Sequence, residues 1–379
     1  MVRNDTFSYK KFFKRGLIVL LCLFIFVFQF FIIKKANVSC HAASTGMAVM
    51  EVSTKRVLYE SNARERMPMA STTKAVTALV VLENALLDEV VTVPKQAVGV
   101  EGSSIYLREG EKLTVKELLY GLMLRSGNDA AVTLAIHVGG SVETFSDMMN
   151  EKAQELGLQN SNFTNPHGLH DDNHYTTAYD LALVSAYAMQ NKDFAEIVCT
   201  KKYTINSPEG KRYLVNKNKI LNSYNGATGI KTGFTKKAGR CLIASSKREN
   251  LEVIAVVLNC GPMFEECSRL MTKAHDEYKM VKLFEEGERV MQLKVTGGKD
   301  KFADAIIKED IMLPLKKDGS DKFVFDINLP HSLKAPIKKD SDIGVIEISL
   351  NDCLHFSKNI YTIKDIEKKG VKDYLKEIF

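Results

Sequence analysis

Three short polar patterns in this sequence bring together residue types that can carry out acyl transfer. The first is Ser71-x-x-Lys74, which an apolar pattern typical of a helix follows at once. A helix that begins here places Ser71 and Lys74 one turn apart on the same face. The free N–H groups and the positive dipole end at its N-terminus would favour a negative charge that develops at Ser71. Lys74 would then accept the serine proton, provided that burial or a second cation lowers its pKa.

This first pattern is weak by itself, because Ser8 and Lys11 repeat it in the basic N-terminal stretch, where no active site is plausible. A serine that caps a helix, beside a solvated lysine, explains a random Ser-x-x-Lys better than catalysis does. The interpretation of Ser71 therefore depends on what the rest of the chain supplies.

Two further patterns supply that context. Ser126-x-Asn128 lies in a polar break between two apolar, periodic runs, so both side chains would be presented from a loop between helices. Lys231-Thr232-Gly233 precedes two predicted strands, Gly239 to Ser245 and Leu251 to Asn259, and thus opens onto a sheet edge. Such an edge can offer strand-type hydrogen bonds to an extended peptide substrate.

A loop from Asn165 to His174 contains three histidines and two aspartates, all of which are metal-ligand types. Their spacing matches no familiar metal motif, and Pro166 and Gly168 mark a turn. We therefore expect no metal site in this loop. The chemistry suggested by the three patterns also requires no organic cofactor.

The N-terminus predicts export from the cytoplasm. A basic stretch precedes an apolar run from Leu17 to Ile33, and small residues near Ala42 and Ala43 permit cleavage. The run is long for a signal peptide and short for a membrane span, so a cleaved signal and a retained anchor both remain open for residues 1–43. In either case the positive-inside bias sends the rest of the chain to the outer face of the membrane.

The net charge of +6 belongs mostly to this segment, because residues 1–43 hold seven Lys/Arg and one Asp. The remainder holds 45 basic and 45 acidic residues, so its charge does not favour nucleic acid as a partner. Five scattered cysteines follow Cys40, an odd set that predicts neither a disulfide framework nor a zinc site. We interpret them as packing residues, with a Cys260–Cys267 bridge as a minor alternative.

The pattern changes after a predicted helix from Met271 to Glu286. Alternating apolar and polar residues at 323–329 and 346–351 predict half-buried strands, and therefore a small all-β domain over 288–358. The tail, 359–379, predicts an amphipathic helix on the membrane surface, with a helix packed on the β domain as the alternative. Its apolar positions at helical spacing are Val371, Tyr374, Leu375 and Ile378.

In this order, the three patterns resemble those of the low-molecular-weight penicillin-binding proteins that act as serine-type D-alanyl-D-alanine carboxypeptidases. The resemblance covers residues 44–286 well and the rest more loosely. It implies an α/β (α+β) fold with an antiparallel sheet flanked by helices, a catalytic domain over 44–287, and a helical subdomain that carries Ser126. The flanking residues that extend it are Pro68–Lys74, Ser126–Ala131, Asn165–Leu169 and Lys231–Thr235.

The resemblance also implies roles for the site residues. Ser71 would attack the penultimate D-Ala carbonyl with Lys74 as the base, and Ser126, bridged to Lys231, would relay a proton to the leaving D-Ala. Lys217 would be a further cation near the substrate carboxylate, and the N–H groups of Ser71 and Phe234 would form the oxyanion hole. The implied substrate-binding set is Asn128, Lys231, Thr232, Gly233 and Phe234. The implied partners are the peptidoglycan pentapeptide that ends in D-Ala-D-Ala and β-lactams as covalent inhibitors.

Two departures separate the chain from class A β-lactamases. Ser126-Gly127-Asn128 replaces their Ser-Asp-Asn, and no Glu-x-x-Leu-Asn stretch is present within the predicted catalytic domain, residues 44–287. Both departures favour a carboxypeptidase, with a β-lactamase or esterase, or a non-catalytic wall-binding protein, as the alternatives. Arg240 is a separate difference, at a position where the carboxypeptidase family would have an aromatic residue. A Ser-His-Asp hydrolase is disfavoured because no Gly-x-Ser-x-Gly occurs.

Overall fold

The computed structural model describes residues 45–207, 210–351, 353–370 and 372–373. The first domain extends to Glu277. In chain order its strands are β1 (Gly46–Glu51), β2 (Val57–Ser61), β3 (Val90–Thr92), β4 (Lys112–Thr114), β5 (Lys202–Ser207), β6 (Gly210–Val215), β7 (Ala227–Thr235), β8 (Gly239–Arg248) and β9 (Leu251–Leu258). Its helices are α1 (Lys74–Asn84), α2 (Val115–Arg125), α3 (Asn128–Gly139), α4 (Val142–Glu155), α5 (Ala178–Ala188), α6 (Lys192–Cys199), α7 (Ile220–Ser223) and α8 (Met263–Glu277).

A five-stranded antiparallel sheet, in the order β2-β1-β9-β8-β7, organises this domain. Strands β8 and β9 are almost continuously buried, which is the pattern of strands covered on both faces. Helix α5 packs against β1 and β9, and α8 packs against β8 and β9. The antiparallel sheet and the predicted strand pair at 239–259 are confirmed, and β7 forms a sheet edge as expected.

The helical part of the domain places the two other polar patterns. Helix α1 is buried from Lys74 to Val81, so it runs through the core rather than along the surface. Helix α2 begins with a capping box between Thr114 and Glu117, a device worth about 1 kcal/mol. It ends at Arg125, and α3 begins at Asn128. The predicted loop between two helices is therefore confirmed.

The second domain is all-β. Its strands are β10 (Tyr278–Phe284), β11 (Arg289–Thr296), β12 (Phe302–Ile306), β13 (Ile311–Lys316), β14 (Phe323–Asn328), β15 (Ser332–Lys334), β16 (Asp342–Leu350) and β17 (Cys353–Thr362). Strands β10 and β13 form one pair, and the others form a sheet in the order β14-β16-β17-β12-β11-β15. An apolar cluster that includes Leu313, Ile346 and Ile348 lies in its core.

Two predicted boundaries are wrong. The helix predicted from Met271 to Glu286 ends at Glu277, because 278–284 pair as a strand with the distant β13. The tail helix predicted from 359 does not begin there, because β17 continues to Thr362 and Ile366 bridges to Ile337. The β domain therefore begins before 288 and continues beyond 358.

The predicted N-terminal segment 1–43 and the tail positions Val371, Tyr374, Leu375 and Ile378 lie outside the described residues. No helix among the residues that are described is long and apolar enough to cross a membrane. Cys260 and Cys267 do not form the disulfide that was the minor alternative; both are buried, and the Cys267 thiol donates to the carbonyl of Ala255.

A buried ion pair joins the two domains. The guanidinium of Arg56, which follows the first turn of the chain, donates two hydrogen bonds of 2.8 Å to the carboxylate of Asp321 and a third to the carbonyl of Pro314. It also lies 5.1 Å from the ring centroid of Tyr278. The side chains of Arg56 and Asp321 are only 8% and 4% exposed, so the pair is fixed by its surroundings.

Candidate active site

The nucleophile candidate lies on a 3₁₀ turn, Ala70–Thr73, that leads directly into α1. Ala70 has φ +49°, a left-handed conformation that a side chain with a Cβ adopts at a cost of about 1–2 kcal/mol. Such strain is concentrated at functional sites. Ser71 is the partly exposed residue of this otherwise buried turn.

The side-chain amino group of Lys74 is fully buried, and three oxygen atoms surround it. Its Nζ lies 3.1 Å from Ser71 Oγ, 2.7 Å from Asn128 Oδ1 and 2.6 Å from the carbonyl oxygen of His167. The amide of Asn128 has its orientation fixed, because Nδ2 donates to the carbonyl of Glu101 and Oδ1 must therefore face Lys74. No carboxylate forms an ion pair with Lys74 in the described part of the chain.

These contacts determine which way the proton on Ser71 points. Burial lowers the pKa of Lys74 well below its usual range, and the charges of Lys231 and Lys217 lower it further. A neutral amine has two N–H groups and one lone pair. Asn128 Oδ1 and the carbonyl of His167 can only accept, so they take both N–H groups, and the lone pair faces Ser71 Oγ. Ser71 must then donate its O–H to Lys74, which is the geometry of a nucleophile and its general base.

Ser126 and Asn128 lie at the same end of the cleft. Ser126 ends α2 in a left-handed conformation, with φ 65°. Its hydroxyl is buried and has no hydrogen-bond partner among the described residues. The predicted bridge from Ser126 to Lys231 is therefore wrong for this structure, since Lys231 Nζ donates instead to the carbonyl of Thr232, at 2.9 Å.

The edge strand β7 carries Lys231, Thr232, Gly233 and Phe234 past the nucleophile turn. A Cβ at Gly233 would lie 3.0 Å from the carbonyl oxygen of Met69 and 3.1 Å from the backbone nitrogen of Ser71, so glycine allows this close approach. Phe234 is 65% exposed at the mouth of the site, and its cross-strand neighbour is Arg240. The structure thus brings the Lys-Thr-Gly strand beside the predicted oxyanion N–H of Ser71.

Lys231 is a second buried lysine. Burial lowers its pKa to about 7, and the charge of Lys217 contributes. Lys217 itself is exposed and donates to Ser103 Oγ at 2.9 Å. The charge of Lys231 also lowers the pKa of Lys74, so the two lysines titrate as a coupled pair. The cleft therefore combines a base whose pKa is lowered with a second lysine that can bind a carboxylate while it is charged.

Sequence reasoning missed the residues that support this cleft. The Asp129 carboxylate accepts hydrogen bonds from the backbone N–H groups of Ile105 and Leu107 and from Ser104 Oγ, which fixes the loop over the cleft. The same loop is held from its other side by the Arg212–Glu111 ion pair. An acidic residue in the first turn of α3 was visible in the sequence, but its loop partners were not.

The histidine-rich loop has a role that its composition did not reveal. It packs against the nucleophile turn: Thr77 Oγ1 donates to the carbonyl of Pro166 at 2.7 Å, and His174 Nε2 lies 2.8 Å from Thr73 Oγ1. The described residues contain no group of three or more His, Cys, Asp or Glu arranged to hold a metal ion. Its histidines serve hydrogen bonds inside the domain.

Comparison with known proteins agrees with this geometry. Residues 33–261 match the family described as D-alanyl-D-alanine carboxypeptidase, and residues 278–368 match the C-terminal domain of penicillin-binding protein 5. The chain is 32% identical to D-alanyl-D-alanine carboxypeptidase DacF of Bacillus subtilis, over 90% of each chain.

Two solved structures are also similar. Penicillin-binding protein 5 from Haemophilus influenzae is 27% identical, with a TM-score of 0.70 over 85% of this chain and 97% of that one. The peptidoglycan synthesis regulatory factor PBP3 from Streptococcus pneumoniae is 25% identical, with a TM-score of 0.75 over 85% of this chain and 98% of that one. With its serine, its buried lysines and both domains matched, this chain belongs to the D-alanyl-D-alanine carboxypeptidase family.

Proposed function

We propose that this protein is a serine DD-carboxypeptidase that removes the terminal D-Ala from peptidoglycan stem pentapeptides through an acyl-enzyme on Ser71. The observation that carries the proposal is the position of Lys74 Nζ, which lies 3.1 Å from Ser71 Oγ and is held by two further oxygens, Asn128 Oδ1 and the carbonyl of His167. The family relatives are named for the same reaction.

The reaction follows from the positions of the groups. Ser71 Oγ attacks the penultimate D-Ala carbonyl as its proton passes to Lys74, and the N–H groups of Ser71 and Phe234 bind the oxyanion. Lys231 and Thr232 bind the terminal carboxylate, which the ammonium of Lys231 attracts while it is charged.

Release of the product requires a proton for the leaving amine. Lys74 now carries the serine proton, and the buried Ser126 hydroxyl is free of other partners among the described residues and can relay it to the leaving D-Ala. Water, deprotonated by the same lysine, then hydrolyses the ester and regenerates Ser71. A β-lactam enters by the same attack, and its ring-opened product stays on the serine because no leaving group departs from the cleft.

The test is intact-protein mass after incubation with benzylpenicillin, followed by peptide mapping. We expect one added penicillin on the peptide that contains Ser71, and none on a Ser71→Ala variant. Label on another peptide, or labelling of Ser71→Ala, would refute the assignment. Turnover of penicillin compared with turnover of a D-Ala-D-Ala peptide separates a carboxypeptidase from a lactamase.

We also propose that the enzyme works outside the cytoplasm, attached to the outer face of the membrane, where it would trim the cell wall and influence cell shape. The support is the basic stretch before the apolar run Leu17–Ile33 and the nearly neutral charge of the remainder. Electrostatic attraction to the membrane would then be small, so attachment would depend on this run, on the tail after residue 370, or on both.

Fractionation of the full chain and of forms covering 1–370 and 44–370 tests the attachment. We expect the full chain in the membrane fraction even in high salt, and an active, penicillin-binding 44–370 form in the soluble fraction. A 44–370 form that remains with membranes would contradict the proposal. N-terminal sequencing of the 1–370 form distinguishes a retained anchor from a cleaved signal.

A further inference from the structure

His174 lies behind the nucleophile turn and is almost completely buried. Its Nδ1 lies 3.0 Å from the backbone nitrogen of Thr164, which can only donate. Nδ1 must therefore be the acceptor, and the ring carries its proton on Nε2. Nε2 is 2.8 Å from Thr73 Oγ1 and donates to it. Burial lowers the pKa of His174 to about 4, so this tautomer is uncharged at neutral pH.

The chain of hydrogen bonds continues to the residue before the nucleophile. Thr73 Oγ1 accepts from His174 and donates to the carbonyl oxygen of Ala70, at 2.8 Å. The same carbonyl is confined from a second side, because a Cβ at Gly168 would lie 1.9 Å from it. Ala70 is the residue held at φ +49°. Its strained conformation is therefore fixed by the histidine-rich loop.

The carbonyl of Ala70 and the N–H of Ser71 belong to one planar peptide unit. Fixing the oxygen at one end of that plane fixes the direction of the N–H at the other end. That N–H is the predicted oxyanion donor, and Gly233 of β7 approaches its nitrogen closely. A small rotation of the plane would turn the donor away from the position of the oxyanion.

We propose that His174 and Thr73 are positioning residues that aim the N–H of Ser71 into the oxyanion hole by holding the Ala70–Ser71 peptide plane. The proposal rests on the proposed function, since it concerns the same acylation step. It gives the histidine-rich loop a positioning role that depends on neither metal binding nor contact with substrate. It also explains why the glycine at 168 and the threonine at 73 meet at one carbonyl oxygen.

Two substitutions at each position separate this role from simple packing. In His174→Gln the side-chain amide can still donate to Thr73, whereas in His174→Asn it can accept from Thr164 but no longer reaches Thr73. Thr73→Ser keeps the hydroxyl, and Thr73→Val removes it at nearly constant volume. We expect His174→Asn and Thr73→Val to slow acylation by saturating benzylpenicillin about 10- to 100-fold, less than or comparable to the loss of one oxyanion donor. His174→Gln and Thr73→Ser should stay within a few-fold of the parent.

Two readouts distinguish misaimed donors from a damaged fold. Noncovalent affinity for penicillin before acylation should not change, because an oxyanion donor acts mainly in the transition state. The infrared carbonyl band of the acyl-enzyme should move to higher wavenumber in Thr73→Val and His174→Asn, since the ester oxygen loses a hydrogen bond. The double variant should be no slower than either single variant, because both interrupt one chain.

Unchanged acylation in Thr73→Val and His174→Asn, or additive losses in the double variant, would overturn the proposal. A parent protein that is not acylated at Ser71 would instead refute the proposed function, so the two failures are distinguishable.

A second inference comes from the edge of the β domain. Strand β14 is the terminal strand of the six-stranded sheet and pairs only with β16. Three successive apolar side chains on it are exposed: Phe323 by 37%, Val324 by 60% and Phe325 by 44%. An exposed, apolar edge strand is able to pair with another strand.

The sequence of this edge, Lys322-Phe-Val-Phe-Asp326, is complementary to itself when read antiparallel. A two-fold axis through Val324 would place Lys322 opposite Asp326 of a second copy, and Phe323 opposite Phe325. Neither charged side chain forms an ion pair among the described residues, and the neighbour of Asp326 on β16 is Glu347, a like charge. A lysine from a second copy would compensate both carboxylates.

From this complementarity we infer that two copies of the chain associate edge to edge through β14, in an isologous antiparallel pair. Phe323 and Phe325 lie on the same face as the buried Leu350 and Ile348 opposite them, so the apolar layer would continue across the two-fold axis. A contact of this size is small, and we expect a weak dimer with a dissociation constant on the order of 100 μM.

Charge-exchange variants test the register. In detergent-solubilised full-length protein, Lys322→Asp alone and Asp326→Lys alone should each sediment as monomers, because like charges would meet across the axis. An equimolar mixture of the two should form heterodimers, since both opposed pairs are then attractive. A parent protein that is still monomeric at a concentration a few times the expected dissociation constant would overturn the inference, as would a mixture that associates no better than its components.

Discussion

The active-site cleft and the domain interface bury positive charge in opposite ways. In the cleft, Lys74 and Lys231 are almost completely buried, and their nearest polar partners are neutral oxygens. At the interface, Arg56 is nearly as buried but meets the carboxylate of Asp321 through two hydrogen bonds. The same fold therefore contains buried basic side chains that have a carboxylate partner and others that do not.

The difference separates catalysis from stability. A buried ammonium group without an ion-pair partner destabilises the folded state, and the destabilisation is smaller when the group loses its proton. That loss makes Lys74 a base near neutral pH. A paired guanidinium keeps its charge, and its carboxylate partner stays ionised. Burial would raise the pKa of Asp321, but the hydrogen bonds from Arg56, the backbone N–H of Lys316 and the side chain of Asn351, together with the charge of Arg56, outweigh it, and the pKa falls to about 2. The cleft gains reactivity where the interface gains a fixed contact.

The largest expected effect comes from replacing the unpaired base. Lys74→Met keeps the length and removes the amine, so acylation by penicillin should fall by at least about 10³-fold. Thermal stability should change little, because the lost hydrogen bonds to Asn128 and His167 are offset by removal of a buried amine. Acylation kinetics and thermal unfolding measure the two effects. Lys247→Met, at an exposed lysine of β8, is the control and should leave both unchanged.

Substitution at the domain interface should have the reverse effect, lowering stability and leaving acylation unchanged. Asp321→Ala leaves the Arg56 guanidinium buried without its carboxylate, and the free energy of unfolding should fall by about 3 kcal/mol, a change of the order of 150-fold in the folding equilibrium. Acylation at Ser71 should be unchanged, because the pair is remote from the cleft. Urea unfolding and penicillin labelling measure the two. An apolar double variant, Arg56→Met with Asp321→Leu, should recover part of the stability; if it is less stable than Asp321→Ala, the pair has a role beyond mutual compensation.

The third prediction concerns pH and is the smallest in size. The pKa of Lys231 is lowered to about 7, so its charge is present below that pH and is lost as the pH rises through it. The kcat/KM for a D-Ala-D-Ala peptide should therefore fall about tenfold per pH unit above 7. Lys231→Arg keeps its charge and should lose this limb, although its maximum rate is lower. A peptide with an amidated C-terminus is the matched substrate and should show no such limb in the parent. A limb shared by both substrates would assign it to another group.

The sequence predicted the reacting groups because their identities and spacing are local. Ser71 and Lys74 lie one turn apart, and Ser126 and Asn128 share one loop, so short patterns were sufficient. The third contact of Lys74, the carbonyl of His167, could not be predicted, because any residue type supplies a carbonyl and only the folded loop brings it there. The role of His174 was missed for a similar reason: its partner Thr73 is distant in sequence.

The β domain shows the same limit at the level of secondary structure. Alternation predicted both β14 and β16. On β16 the alternate residues Ile346, Ile348 and Leu350 are buried, whereas β14, predicted to be half-buried, is mostly exposed because it is the terminal strand of its sheet. Residues 278–284 were predicted as helix because no local signal interrupts the preceding helical pattern. Their pairing with β13 is a long-range contact, and that contact determines the strand.

The most direct test of the account is the protonation state of Lys74 in the resting enzyme. Lysine labelled with ¹³C and ¹⁵N at the side chain, with the Lys74 signal assigned by its disappearance in Lys74→Met, reports that state through the pH dependence of the Cε and Nζ shifts. We expect a neutral amine at pH 7, because burial and the charges of Lys231 and Lys217 lower the pKa of Lys74 well below its usual range. A Lys74 signal that remains that of an ammonium group up to pH 9 would contradict the account, because Ser71 would then have no base.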